Sequence, residues 1–255
     1  MARAQNGDVA IEFHAWGDRD ATPVVLLHGL GDDHRLWDGV RARLRGRLRV
    51  VAYDLRGHGA SDAPSDAAAY TMPLFVEDLA RVLDAAAIER ALLVGFSLGG
   101  AIAAAFALAH PERTLGLALV NANAAARDPA EEATIVAARG SATAVLPAER
   151  ERRWAERLLA RLPDGARRAS AIGRAASIVK RAGDLAVPVW LIASDRDPGF
   201  ARRSLALLPR LRRGVRIVIP GAGHAVMIDR AEALANELSR FAATAGTERP
   251  GRSRA

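Results

Sequence analysis

The chain has 255 residues, half of them hydrophobic, and no cysteine; it can bury a sizeable core, but disulfides, thiolate metal sites and a cysteine nucleophile are excluded. Its formal net charge is +7, from 36 basic and 29 acidic residues. That excess raises nucleic-acid binding, yet the basic residues are nearly all arginines interleaved with acids, as in Glu149-Arg150-Glu151-Arg152-Arg153, and few aromatic rings are present to stack bases, so no nucleic-acid partner is expected.

In chain order, short apolar runs at Val9 to Phe13, Val24 to Leu27, Leu48 to Tyr53, Ala91 to Val94, Leu115 to Val120, Val187 to Ile192 and Val215 to Ile219 read as strands. Segments with helical periodicity lie between them: Leu36 to Leu44, Leu74 to Ala86, Ala101 to Ala109, Phe200 to Leu211 and Ala231 to Phe241. Strands that are apolar nearly throughout, alternating with helices, specify a parallel sheet covered on both faces, an α/β fold. No strand is visible from about Ala124 to Asp184, a stretch rich in arginine and too long for a plain connection. It reads as a small helical lid over the C-terminal edge of the sheet, with extra helices that gate nothing as the alternative. The expected organisation is therefore a core domain from 1–123 and 185–243, a lid at 124–184, and a disordered tail at 244–255. The N-terminus lacks an apolar signal segment, and the apolar stretch Gly95 to Ala109 is too short to span a bilayer. The expected setting is cytoplasmic, away from membranes.

Gly95-Phe96-Ser97-Leu98-Gly99 joins a predicted strand to a predicted helix. A serine between glycines at such a junction sits in a strained turn that exposes its hydroxyl, which makes Ser97 a candidate nucleophile. A hydroxyl needs a base, and two groups downstream supply one with an orienting acid. Ala193-Ser194-Asp195-Arg196-Asp197 follows one strand, and Pro220-Gly221-Ala222-Gly223-His224 follows the next. Both lie past the C-terminal ends of strands, where open α/β sheets build their sites.

With His28-Gly29-Leu30-Gly31 and Asp54-Leu55-Arg56-Gly57-His58-Gly59-Ala60-Ser61, these motifs make the chain resemble the α/β-hydrolase superfamily over nearly its whole length. The resemblance is to the branch of small lid-bearing esterases, enol-lactonases, carbon–carbon bond hydrolases and cofactor-free perhydrolases. It implies a mostly parallel eight-stranded sheet with the lid after the sixth strand. It also implies Ser97 as nucleophile, His224 as base and then acid, and Asp197 as the group that orients the imidazole, with the backbone amides of Leu30 and Leu98 as an oxyanion hole. Asp195 competes with Asp197 in the same turn, and the family spacing favours Asp197. Ser194 stands where that pattern usually has glycine, and Pro198-Gly199 shortens the following loop.

Trp37, Phe96, Val226 and Met227 are candidates for pocket lining or, equally, for core. His28 and His58 are expected to brace turns, and His14, His34 and His110 have no partner at metal-ligand spacing, so neither metal nor cofactor is expected. Haloalkane dehalogenases and epoxide hydrolases of this fold carry aspartate at the elbow, so Ser97 argues against both. The expected substrate is a small carboxylic ester or lactone, which the lid arginines would favour in anionic form. A carbon–carbon bond hydrolase or perhydrolase on the same triad, and a non-catalytic ligand receptor on the same fold, remain as alternatives. The sequence is silent on oligomeric state.

Overall fold

The computed structural model describes residues 2–122, 164–166, 168–169 and 179–246. Eight strands form one sheet in the order β1-β2-β4-β3-β5-β6-β7-β8. They are β1 (Ala2–Asn6), β2 (Val9–Trp16), β3 (Pro23–Leu27), β4 (Arg49–Tyr53), β5 (Ala91–Phe96), β6 (Thr114–Val120), β7 (Val189–Ser194) and β8 (Gly214–Ile219). The pairs β1–β2 and β2–β4 are antiparallel, and every pair from β4–β3 through β7–β8 is parallel. β1 is the strand that periodicity does not reveal. Its run Ala-Arg-Ala-Gln-Asn buries only Ala4 and Asn6, so it lacks the apolar signature of a central strand. Pairing with β2 holds it instead, as does a bond from Asn6 Nδ2 to Asp78 Oδ1 at 2.8 Å.

Side-chain alternation gives the sheet two cores. Val25 and Leu27 of β3 join one cluster, and Val24 and Leu26 join the other. The first is covered by α2 (Met72–Ala85) and α3 (Leu98–Ala109), the second by α1 (Asp38–Leu44) and α6 (Ala231–Gly246). In α2 the residues Phe75, Leu79, Val82 and Leu83 are buried, the 3-4 spacing of a helix with one apolar face. α3 is different, being alanine-rich and buried along most of its length, because small side chains let it settle close to the sheet.

Several boundaries move for identifiable reasons. The predicted helix from Leu36 is a 3-10 turn, His34–Trp37, followed by α1. The helix predicted to reach Leu211 is α4 (Pro198–Leu207), after which Leu208–Arg210 tightens into a 3-10 turn, since Pro209 offers no N–H. A short α5 (Val226–Asp229) precedes α6. α6 runs to Gly246 with Ala245 buried, which corrects the tail boundary: 244–246 are helical. The remainder of the predicted tail and most of the predicted lid lie outside the described residues. Of the 124–184 stretch, Val179–Asp184 forms a 3-10 helix. Ala166 and Ala169 are buried, and Gly165 packs on the backbone of Gly57, as a Cβ at Gly165 would lie 2.5 Å from the Gly57 carbonyl oxygen.

Because β3 and β5 through β8 run parallel, the segments 28–31, 97, 121, 195–197 and 220–224 all leave the sheet at one edge. That edge holds the site.

Candidate active site

Ser97 joins β5 to α3 with φ 50° and ψ −112°, a conformation that costs a non-glycine residue of order 1–3 kcal/mol and persists only where the surroundings impose it. The surroundings here are backbone. A Cβ on Gly95 would lie 2.4 Å from the Gly99 carbonyl oxygen, and one on Gly99 would lie 2.5 Å from the carbonyl oxygens of Leu27 and His28. The two glycines therefore let α3 start against the strand ends. The Ser97 N–H donates to the Val120 carbonyl at 3.2 Å, which anchors the turn to β6.

Two loops cross close by. The 28–31 segment passes over Ser97, since a Cβ on Gly29 would lie 3.4 Å from the Ser97 Cβ. Leu30 follows it, partly exposed, and Leu98 opens α3. The two residues expected to supply oxyanion-hole amides thus adjoin, one in sequence and one through Gly29, the turn that carries Ser97.

Asp197 and His224 meet. Nδ1 of His224 lies 2.6 Å from Asp197 Oδ2, while Asp197 Oδ1 accepts the Phe200 N–H at 3.3 Å. One carboxylate thus orients the imidazole and caps α4. The imidazole is held between the rings of Phe96 and Phe200, with centroids at 4.8 and 4.6 Å, and 26% of its side chain is exposed. The rival Asp195 faces elsewhere. It is exposed, its Oδ1 accepts the Ala222 N–H at 3.3 Å, and the N–H groups of Gly221 and Ala222 hold its carboxyl below the usual range. Its place is to brace the turn that presents His224.

The other histidines brace. His28 is fully buried; Nδ1 donates to the Gly29 carbonyl at 2.7 Å and Nε2 accepts the Leu55 N–H at 2.9 Å. It fastens the 28–31 loop to the 54–61 loop. His58 is 1% exposed and donates to the Arg56 carbonyl at 3.0 Å. Burial pushes both pKa values down, that of His58 to about 3. Arg56 in turn makes two bonds to Asp78, at 2.9 and 2.6 Å, with both side chains buried.

Asp33, His34 and Asp54 bring three ligand atoms within 4.8 Å of one another. Their capacity is already used. Asp54 Oδ1 accepts the N–H and Nδ1 of His34 at 2.7 and 2.8 Å, Asp54 Oδ2 accepts the Ala60 N–H at 2.7 Å, and Asp33 is engaged by Arg35. The set reads as a loop clamp.

The four pocket candidates are placed within the wall of the core. Trp37 and Val226 are fully buried, and Phe96 and Met227 expose 1% and 2%; all four belong to the cluster shared with α1 and α6. Met227 also borders a cavity of about 830 Å³ between α1 and the start of α6, and the residues lining that cavity include none of Ser97, Asp197 and His224. Two residues beside the pair escaped sequence reasoning. Phe200 packs its ring, tilted by 31°, against His224, and Asn121, just past β6, bonds to the His224 carbonyl at 2.8 Å. The signal for Phe200 was its place three residues after the acid; for Asn121 it was an amide side chain at a strand's C-terminal end.

Residues 22–171 match the family model for the alpha/beta hydrolase fold. The chain belongs to that family. An uncharacterized protein of Mycobacterium tuberculosis is 40% identical over 105 residues, 41% of this chain and 30% of that protein. Epoxide hydrolase 4 of Mus musculus is 34% identical over 116 residues, 45% of this chain and 32% of it. The matched segments thus span about a third of these curated relatives. Among solved structures, the enol-lactonase of Burkholderia xenovorans superposes with a TM-score of 0.78 at 27% identity, over 94% of this chain and 99% of that one. No helix among the described residues is long and apolar enough to cross a membrane.

Proposed function

We propose that the protein is a serine hydrolase that cleaves a small carboxylic ester or lactone through Ser97, His224 and Asp197. The observation that carries this reading is the 2.6 Å contact between His224 Nδ1 and Asp197 Oδ2. With the Nδ1 proton held against the carboxylate, Nε2 is left unprotonated and able to accept a proton from a nucleophile. The positive φ of Ser97 at the strand–helix junction supports the same reading, as does the likeness to a lactonase over nearly the full chain. A serine at the elbow argues against the chemistry named for the epoxide hydrolase relative, since opening an epoxide through an ester intermediate needs a carboxylate there.

In this mechanism Ser97 Oγ attacks the substrate carbonyl carbon while His224 Nε2 takes the hydroxyl proton. The carbonyl oxygen becomes an oxyanion that accepts hydrogen bonds from the Leu30 and Leu98 amides. Collapse of the tetrahedral intermediate breaks the bond to the leaving oxygen, to which His224 returns the proton. The alcohol departs, or stays tethered if the substrate was a lactone. Water, deprotonated by His224, then attacks the acyl-enzyme and releases the acid and Ser97. Throughout, Asp197 stabilises the imidazolium formed at each proton transfer.

A fluorophosphonate probe, which reacts only with an activated serine, tests the reading. Labelling of the native chain and none of Ser97→Ala is expected, with turnover of p-nitrophenyl esters lowered by about four to six orders of magnitude in the variant. A folded native chain that takes up no probe refutes the catalytic reading and leaves the ligand receptor. A parallel panel of lactones, carbon–carbon bond substrates and a peroxide assay ranks the alternatives.

A further inference from the structure

Asn121 follows β6 and is 2% exposed. Its backbone N–H donates to the Ile192 carbonyl at 2.9 Å, extending the β6–β7 ladder by one residue. Its φ is 40°, a left-handed value that turns the chain out of the sheet and that asparagine tolerates better than most residues. The side chain uses both ends of its amide. Oδ1 accepts the Ser194 N–H at 3.0 Å. Nδ2 donates to Ser194 Oγ at 2.7 Å, to the His224 carbonyl at 2.8 Å and, more weakly, to the Gly223 carbonyl at 3.3 Å.

One side chain thus joins three segments that are distant in sequence: the end of β6, the end of β7 and the loop after β8. Two of these carry the pair. Ser194 lies three residues before Asp197, and His224 is held by its own carbonyl. The serine that departs from the family pattern at 194 finds its partner here, because a glycine would leave Asn121 Nδ2 one acceptor fewer.

We propose that Asn121 is a positioning residue that sets the distance between the acid loop and the base loop and so keeps the His224 imidazole in register with Asp197. The proposal rests on the triad reading above. Only an amide suits the place. Asn121→Asp keeps the shape and the left-handed backbone but turns a donor into a carboxylate oxygen facing two carbonyl oxygens. Asn121→Gly keeps the backbone and removes the clamp.

The full chain and both variants are compared with p-nitrophenyl acetate, with active sites counted by fluorophosphonate labelling to completion. kcat per labelled site is expected to fall about 100-fold in Asn121→Asp and about 10-fold in Asn121→Gly, with KM within about twofold, as expected when reacting groups are misplaced by about 1 Å. A second readout is independent of turnover. The proton on Nδ1, held against Asp197, gives a far-downfield NMR resonance that disappears in His224→Ala and is expected to broaden or vanish in Asn121→Asp. If either variant retains native kcat per site and the resonance, even with a lowered Tm, Asn121 is only a tie between strands and the proposal is overturned. If Ser97→Ala retains full turnover, the triad reading fails, and the resonance alone then decides whether Asn121 holds the ring.

Discussion

Two histidine neighbourhoods lie at the same edge of the sheet and are built oppositely. His28 and His58 are sealed in, each bonding to main-chain groups of the motif loops, and burial disfavours their charged forms. His224 meets a carboxylate through Nδ1, keeps 26% of its side chain exposed and lies against the rings of Phe96 and Phe200. On the proposed reading, the difference teaches what separates a brace from a base. A brace is buried with a ring nitrogen committed to the backbone, whereas the proposed base has one nitrogen committed to an acid and part of its side chain open to solvent.

The sharpest way to break that contrast is Asp197→Asn. The amide can still cap α4, but it stabilises the wrong tautomer of His224, so kcat should fall by about four orders of magnitude with the fold intact; steady-state kinetics beside circular dichroism checks it. His28→Ala should do the reverse. It strands the Leu55 N–H and the Gly29 carbonyl in the core, at about 1–3 kcal/mol for each group, which urea denaturation reads directly, while fluorophosphonate labelling persists.

The braces also predict a pH response. A histidine titrates near 6.5 in the unfolded chain, whereas folding holds His58 near 3 and lowers His28. Below pH 6.5 the unfolded chain therefore binds protons that the folded chain refuses. The stability contributed by these residues is complete above about pH 6.5 and is lost as pH falls from there toward 3. His58→Gln should flatten that slope in a series of urea midpoints. The smallest effect belongs to Asp195→Ala, which removes an exposed brace worth about 0.5–1.5 kcal/mol and should leave turnover close to native. A loss there as large as that of Asp197→Asn would mean that the acid has been assigned to the wrong residue.

Much of this was written in the sequence, because the features concerned are local. Most of the strands that sequence revealed are central and buried on both faces, β8 at the edge being found by its β-branched run although Val215 and Val218 are exposed, and the Ser97 elbow is spelled by glycines that steric contact demands. β1 escaped because an edge strand of alternating polar residues carries no apolar run. The end of α6 escaped because small and polar residues such as Thr244 give little periodicity, although Ala245 is buried. Asp195 and Asp197 were separable only by spacing, since which carboxylate faces the imidazole depends on the start of α4. Asn121 was invisible for a stronger reason. Its partners lie 73 and 103 residues away, and no window along the chain contains them.

The order β1-β2-β4-β3-β5-β6-β7-β8 has a kinetic meaning. Ser97 sits after a central strand, but Asp197 and His224 arrive with the last two strands, and parallel pairings between distant segments form slowly because loop closure precedes their reward. During refolding from urea, secondary structure should therefore return before hydrolase activity. Ser97, Asp197 and His224 come together only once the far edge of the sheet has joined the strand that carries the elbow.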